Sequence, residues 1–380
     1  MVASWKHSVA LRSRHALFSD QIHSFIMYAS CSSLTLLSAL VSITAAYPSS
    51  AYNPAPNPGI RKLSTVDIRI APKSHDKVMI SAVSNSSNTR RLSYFVQSGL
   101  AITHGDVIYS SEDELLRKVK AQKRSLSYFA DDKESLWPSA RIEYKWQSED
   151  AKGQGRQEAW EEATKRWTDM LPFVKFSENP AGDAQSEDVV TLVPTENTGS
   201  CFSPIGKAQN SQSNQIMLDS ECGGAGTYTH ELGHTLGLFH EHMRPDRDEY
   251  VTINCANVMQ SDEGPNNCGE NCSGYGCNFQ KLPKDRADWS GPYDSLSIMH
   301  YSPDEFANGN GPAIVAKPGV PTPRRHTFPT AQDAKRVCSL YQDQCKGVCG
   351  DGKVEPGNGE ECDDGNNQSG DGCSSDCKKE

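Results

Sequence analysis

Between Gln157 and Met170, the residues Trp160, Ala163, Trp167 and Met170 fall three or four positions apart among Glu, Lys, Arg and Asp. That spacing gathers them on one side of an α-helix, so a helix with one buried face is expected here and its aromatic residues belong to a core. Elsewhere the apolar pattern shortens. Ile142–Trp146, Phe173–Phe176, Val189–Val193 and Gln215–Asp219 are short runs rich in β-branched and aromatic residues and read as strands, the last of them just before a His-rich segment. Ser111-Glu112-Asp113-Glu114 ahead of Leu115, Leu116 and Val119 has the capping-box arrangement and predicts a short helix. Leu34–Ala46 is also apolar, but it is shorter than the roughly 20 residues a membrane-crossing helix needs. It reads as the apolar part of a signal peptide, with Thr44 and Ala46 suiting cleavage before Tyr47. Lys6, Arg12 and Arg14 precede it and Met27 is a second candidate start. Residues 1–46 are therefore expected to be a signal peptide, and the product secreted and free of a membrane span.

The His-rich segment runs from His230 to Asp248, HELGHTLGLFHEHMRPDRD, and contains HExxHxxGxxH. On a helix His230 and His234 share a face and can bind one metal ion, with Glu231 beside them. A third ligand further along the same helix would be badly aimed, so the chain must turn before it delivers His240. Gly237 permits the turn, because glycine tolerates the left-handed conformation that ends helices. Three neutral imidazoles leave a fourth position of a tetrahedral zinc ion for water, the layout of a catalytic site.

A hydrophobic content of 36% over 380 residues permits one sizeable core plus accessory pieces, and a net charge of −10 argues against a nucleic-acid partner. Of 13 cysteines, Cys31 lies in the leader, which leaves an even number downstream, none of them between Tyr47 and Ser200. In a secreted chain that pattern reads as disulfides. Cys255, Cys268, Cys272 and Cys277 stand in a Gly- and Asn-rich insertion; three pairings are open to them, and zinc binding is the competing reading.

The zinc motif, together with Ser297-Ile298-Met299-His300-Tyr301 downstream, resembles the metzincin zinc proteases, and HEHMRPDRDEYV followed by SIMHY resembles the astacin family in particular. The resemblance covers roughly Leu136 to Tyr341. It implies an α+β metzincin fold, with a mixed sheet and zinc helix above the cleft and a methionine turn below. It implies an endopeptidase acting on proteins or peptides, with His230, His234, His240 and Tyr301 on the metal, Glu231 as general base, Met299 as the apolar floor and Tyr301 donating to the oxyanion. It also implies a Cys201–Cys222 disulfide and a contact from Glu241 to the freed mature N-terminus. The family's second disulfide lacks a partner here, because Cys338 has no cysteine to meet upstream of Ser200, and Cys338 can close a short loop with Cys345 instead. Arg324 and Arg325 fall where family members carry a basic residue on the primed side, which favours an acidic residue just after the cut.

Residues 47–124 read as a propeptide. They open on a Pro/Ser-rich stretch, Tyr47–Pro58, and end on the dibasic Lys123-Arg124, a site for an activating processing protease. Within them Thr103-His104-Gly105-Asp106 resembles the FxGD motif of astacin propeptides, with Thr103 in place of phenylalanine. The resemblance implies that Asp106 occupies the open metal position as a latency switch. The catalytic domain is then expected over 125–345. Residues 346–380 form a separate module with Cys349, Cys362, Cys373 and Cys377, and from Cys349 to Glu380 it holds nine acidic residues and three lysines. The segment resembles the CGDG/GEECDDGN cysteine-rich repeat, must be stapled by disulfides at this size, and has Asp/Gly stretches that raise calcium as a weak candidate without EF-hand spacing.

Overall fold

The computed structural model describes residues 67–70, 79–83, 91–120 and, with short gaps, 135–380. The signal peptide 1–46, the Tyr47–Pro58 stretch and Lys123-Arg124 lie outside the described residues.

The described residues between Asp67 and Ser111 form a sheet, which the sequence pattern had not disclosed. Strands β1 (Asp67–Ile70), β2 (Met79–Val83), β3 (Arg91–Gln97), β4 (Leu100–Thr103) and β5 (Val107–Ser111) pair antiparallel in chain order. Every residue of β4 and β5 is buried, so the alternation of apolar and polar positions that marks a half-exposed strand is missing from them. Their two faces meet different neighbours. Ala101, Val107 and Tyr109 pack with Ile205, Phe239 and Met243, whereas Leu100, Ile102 and Ile108 pack with Phe202 and Met217. Helix α1 (Glu112–Lys120) follows at once, and the Glu114 N–H donates to Ser111 Oγ (3.3 Å), as its capping sequence predicted.

The catalytic region is built on four strands in the order β10-β8-β6-β7, all parallel: β6 (Arg141–Trp146), β7 (Lys175–Glu178), β8 (Val189–Thr195) and β10 (Gln215–Asp219). The expected strand at Phe173–Phe176 begins two residues later, because Phe173 and Val174 complete a turn off the preceding helix, closed by Val174 N–H to Leu171 O (2.9 Å). That helix, α2 (Arg156–Met170), buries Trp160, Ala163 and Trp167 on one face, with Met170 partly buried beside them. Its partner is α3 (Ala225–Thr235), fixed lengthwise by two indoles: Trp167 Nε1 donates to Thr229 O (2.8 Å) and Trp137 Nε1 to Thr235 O (3.0 Å). Helix α4 (Ala331–Leu340) closes the domain, its N-terminus capped reciprocally by Thr330 and Asp333.

On the cleft side, Phe202 bridges antiparallel to Met217 of β10, and the next residues form β9 (Ser203–Pro204), which pairs parallel with β5. The edge facing the cleft is therefore a strand absent from the sequence reading, too short and too near a cysteine to show a period. Among the described residues no helix is long and apolar enough to cross a membrane.

Among the described residues six disulfides are formed. Cys201–Cys222 matches the pair that the resemblance implied, Cys338–Cys345 closes the short loop that had been left open, and Cys255–Cys268 and Cys272–Cys277 choose one of the three open pairings and exclude the zinc reading, since all four sulfurs are bonded. Cys349–Cys377 and Cys362–Cys373 staple the C-terminal module. There Asp363 accepts from the N–H groups of Gly350 (2.9 Å), Gly352 (2.9 Å) and Gly365 (2.7 Å), so its carboxylate is turned to its own loop. Among the described residues Glu360, Asp363 and the disulfide-bonded Cys377 are brought together there.

Candidate active site

Helix α3 presents His230 and His234 one turn apart, and the turn after it delivers the third imidazole. Gly237 has φ +108°, its N–H donates to His234 O (2.8 Å) and that of Leu238 to Gly233 O (3.0 Å), so the helix ends in a left-handed step as its sequence required. His240 then arrives with extended backbone. Its Nε2 lies 3.2 Å from Nε2 of His230 and 3.2 Å from Nε2 of His234. The Nδ1 atoms of two of these rings are engaged by carbonyls, His230 with Ile298 O (2.7 Å) and His234 with Leu238 O (2.8 Å). A carbonyl accepts only from N–H, so both Nε2 atoms are lone pairs aimed at the same point. Lone pairs this close repel unless a cation lies between them. Two ligands bound at about 2.0 Å in a tetrahedron stand roughly 3.3 Å apart, so the donor set fits zinc.

Asp106, carried on the hairpin tip between β4 and β5, faces all three rings. Its carboxylate oxygens lie 3.4 Å from His230 Nε2, 3.6 Å from His234 Nε2 and 3.2 Å from His240 Nε2. Burial pushes the carboxyl up, but the imidazoles outweigh it and hold Asp106 well below the usual range. Gly105 beside it has φ +92°, and a Cβ there would collide with the Tyr301 hydroxyl and the Phe306 ring. That close approach is the reason the tip can enter the cleft.

The methionine turn lies beneath. The Ser297 hydroxyl and the Ile298 N–H (2.9 Å) both donate to the buried carboxylate of Asp333, and the Met299 N–H donates to Ser297 Oγ (3.0 Å). Asp333, which also caps α4, therefore sets the height of the floor. Met299 is 1% exposed and its sulfur sits where a Cβ on Gly233 of the zinc helix would go. The Tyr301 hydroxyl donates to the carbonyl of His104, so in this structure the fourth side chain facing the imidazoles is Asp106, not the expected Tyr301. Burial and then the Asp106 charge raise the Tyr301 phenol well above its ordinary value.

Glu231 is fully buried, and among the described residues its carboxylate oxygens find no hydrogen-bond partner. Burial first, and then the Asp106 charge, push it up to about 8. It lines a cavity of about 100 Å³ together with Asp106, Tyr301, Phe306 and Arg325. Arg325 reaches the cleft wall, where its Nη2 donates to Cys222 O (3.2 Å) and Thr227 Oγ1 (3.0 Å). Arg324 does not: it is exposed and donates to His326 (3.3 Å).

Glu241, whose sequence position allowed an ordinary exposed glutamate, is 2% exposed. It pairs with Arg336 (Nη1 to Oε2, 2.6 Å) and accepts from the Asp294 N–H (2.7 Å), while burial still pushes it up to about 7. Arg336 gave no signal in the sequence, because its partner lies 95 residues away. Arg336→Met is expected to destabilise the domain by about 3–5 kcal/mol at pH 8, since it strands a buried charge. A carboxyl raised above its unfolded value stabilises below that value and loses the contribution as pH rises. The variant's deficit in urea midpoint should therefore be smaller at pH 5 than at pH 8, and a pH-independent deficit would point to lost packing alone.

A helix carrying two imidazoles, a glycine-turned third and an Asp-clamped methionine turn define a metallopeptidase of the metzincin class. The chain belongs to the astacin family of peptidases, whose model matches residues 129–341. Zinc is the cofactor of that family, and the three-histidine set fits it. Residues 337–378 match a second family, described only as a domain of unknown function (DUF4215). Among similar proteins, zinc metalloproteinase nas-14 of Caenorhabditis elegans is 29% identical over 236 residues, which is 61% of this chain and 41% of that one. Astacin-like metalloprotease toxin 2 of Loxosceles intermedia is 35% identical over 149 residues, 37% of this chain and 52% of that one. The chain thus spans about half the length of the curated relatives it matches. Among solved structures, high choriolytic enzyme 1, a hatching-enzyme zinc protease of the medaka Oryzias latipes, is 27% identical with a TM-score of 0.43, over 56% of this chain and 99% of that one.

Proposed function

We propose that the chain is a secreted zinc endopeptidase made as a latent zymogen, with residues 47–124 as the propeptide, 125–345 as the catalytic domain and 346–380 as an appended module. The observation that carries latency is Asp106 set among the three imidazoles at the tip of a strand paired to the cleft edge. The apolar run at Leu34–Ala46 and six disulfides support secretion.

Zinc, when bound, supplies Lewis-acid polarisation of the scissile carbonyl and a more acidic water. Glu231 takes the proton of the attacking water and returns it to the leaving amine. Tyr301, freed from the His104 carbonyl when the propeptide leaves, donates its hydroxyl to the oxygen that gains charge. Cleavage after Arg124 removes the strand that β9 pairs with, and an extended substrate takes its place by main-chain hydrogen bonding. Arg325, at the cleft wall, selects an acidic residue just after the cut. Peptides with Asp and Ala at that position test this: equal rates would remove Arg325 as the selectivity device.

The test of the whole reading is to express the full chain, collect the medium and process the precursor. The processed protein should begin near Ser125, bind one zinc and cleave casein. 1,10-Phenanthroline should abolish cleavage and added zinc restore it. Zinc-loaded, correctly processed protein that leaves casein intact would refute the assignment.

A further inference from the structure

The buried side chain closest to Tyr301 has been given no role. His242 lies with its ring centroid 4.1 Å from that of Tyr301 and the planes 30° apart, and 5.2 Å from the His240 ring at 28°. It is wholly buried, and its Nε2 is 2.9 Å from the carbonyl of Asn278, so Nε2 carries the proton and the ring is tied in its plane. Asn278 belongs to the cysteine-rich insertion and directly follows Cys277, which is bonded to Cys272. The tie is reinforced through the main chain. Arg247 donates from Nη1 to both His242 O (2.9 Å) and Phe279 O (2.6 Å), and the Phe279 ring meets Tyr301 edge-on at 6.0 Å.

We infer that His242 is a positioning residue for Tyr301. It packs against the phenol ring at a 30° tilt and so aims its hydroxyl into the cleft, and it anchors that aim to the disulfide-stapled insertion through Asn278. A filler residue could be any apolar side chain of similar size. A residue that must both stack on a phenol and donate to a carbonyl on its far side has to be a ring with an N–H. The inference rests on the reading that Tyr301 stabilises the charged oxygen of the reaction.

The experiment uses the processed, zinc-loaded protein as wild type, His242→Ala, Tyr301→Phe and the double variant. His242→Ala should lower kcat about tenfold with KM changed less than about twofold, and should cause no further loss in the Tyr301→Phe background. Calorimetric binding gives a second readout. A phosphinic peptide, which mimics the tetrahedral oxygen, should bind about tenfold more weakly to His242→Ala, while a product peptide binds as before. His242→Phe, which keeps a ring on Tyr301 but cannot donate to Asn278, should show the same selective loss to a smaller degree and stands in if the alanine variant does not fold. Equal losses with and without the Tyr301 hydroxyl, or equal weakening of both ligands, would overturn the positioning role. Full activity of Tyr301→Phe alone would instead sink the reading of Tyr301, a result visible without any His242 variant.

Discussion

Glu231→Ala in the processed protein is expected to cut casein about a thousandfold or more slowly than the parent, with zinc content and melting temperature close to unchanged. The expectation comes from the environment of the carboxylate. Both its oxygens are buried, and the carboxyl lines the cavity that Asp106 and Tyr301 also line. Burial and the Asp106 charge push it up to about 8 in the propeptide-bound form. On activation Asp106 leaves with its negative charge, which favours the ionised form, so the acid limb of kcat/KM should fall below pH 8, with activity rising as pH rises through the lowered value. A Glu231→Ala protein that keeps its activity would leave the base unassigned, while one that loses its zinc would make the residue structural.

The zinc helix was legible because its signals are local. Ligand spacing and the glycine turn are contained in eleven consecutive residues, and a period of 3.6 leaves no other way to bring His230 and His234 together. Helix α2 was legible for the same reason. What stayed hidden depends on pairing across the chain. The strands β4 and β5 are buried on both faces by residues from Phe202 to Met243, so they show no alternation. Asp333 grips the methionine turn from 36 residues away, and Arg336 neutralises Glu241 from 95 residues away. Neither spacing carries any periodic signal. The shift of β7 by two residues has the opposite cause: the apolar run is real, but its first half goes into a turn that buries Val174 completely.

The other large effect concerns latency. Full-length Asp106→Ala is expected to cleave a short fluorogenic peptide before any processing, at roughly a hundredfold or more above the unprocessed parent. The carboxylate faces the three Nε2 atoms across the position that a metal ion would fill, and loss of about 3 kcal/mol of its attraction to such an ion corresponds to roughly a hundredfold change in occupancy of the site. Two obstructions would remain in that variant. The Tyr301 hydroxyl stays bonded to the His104 carbonyl, and β5 still pairs with β9 at Ser203 and Pro204. A short peptide can compete for a cleft opened at the tip. Casein needs the whole edge strand, so its cleavage should lag until the chain is cut after Arg124. The contrast between the two substrates separates the carboxylate from the sheet as sources of latency. A precursor inert to both would remove Asp106 as the switch and assign the block to strand pairing. A precursor equally active on both would show that the apolar docking of β4 and β5 is too weak to hold the cleft closed once the carboxylate is gone.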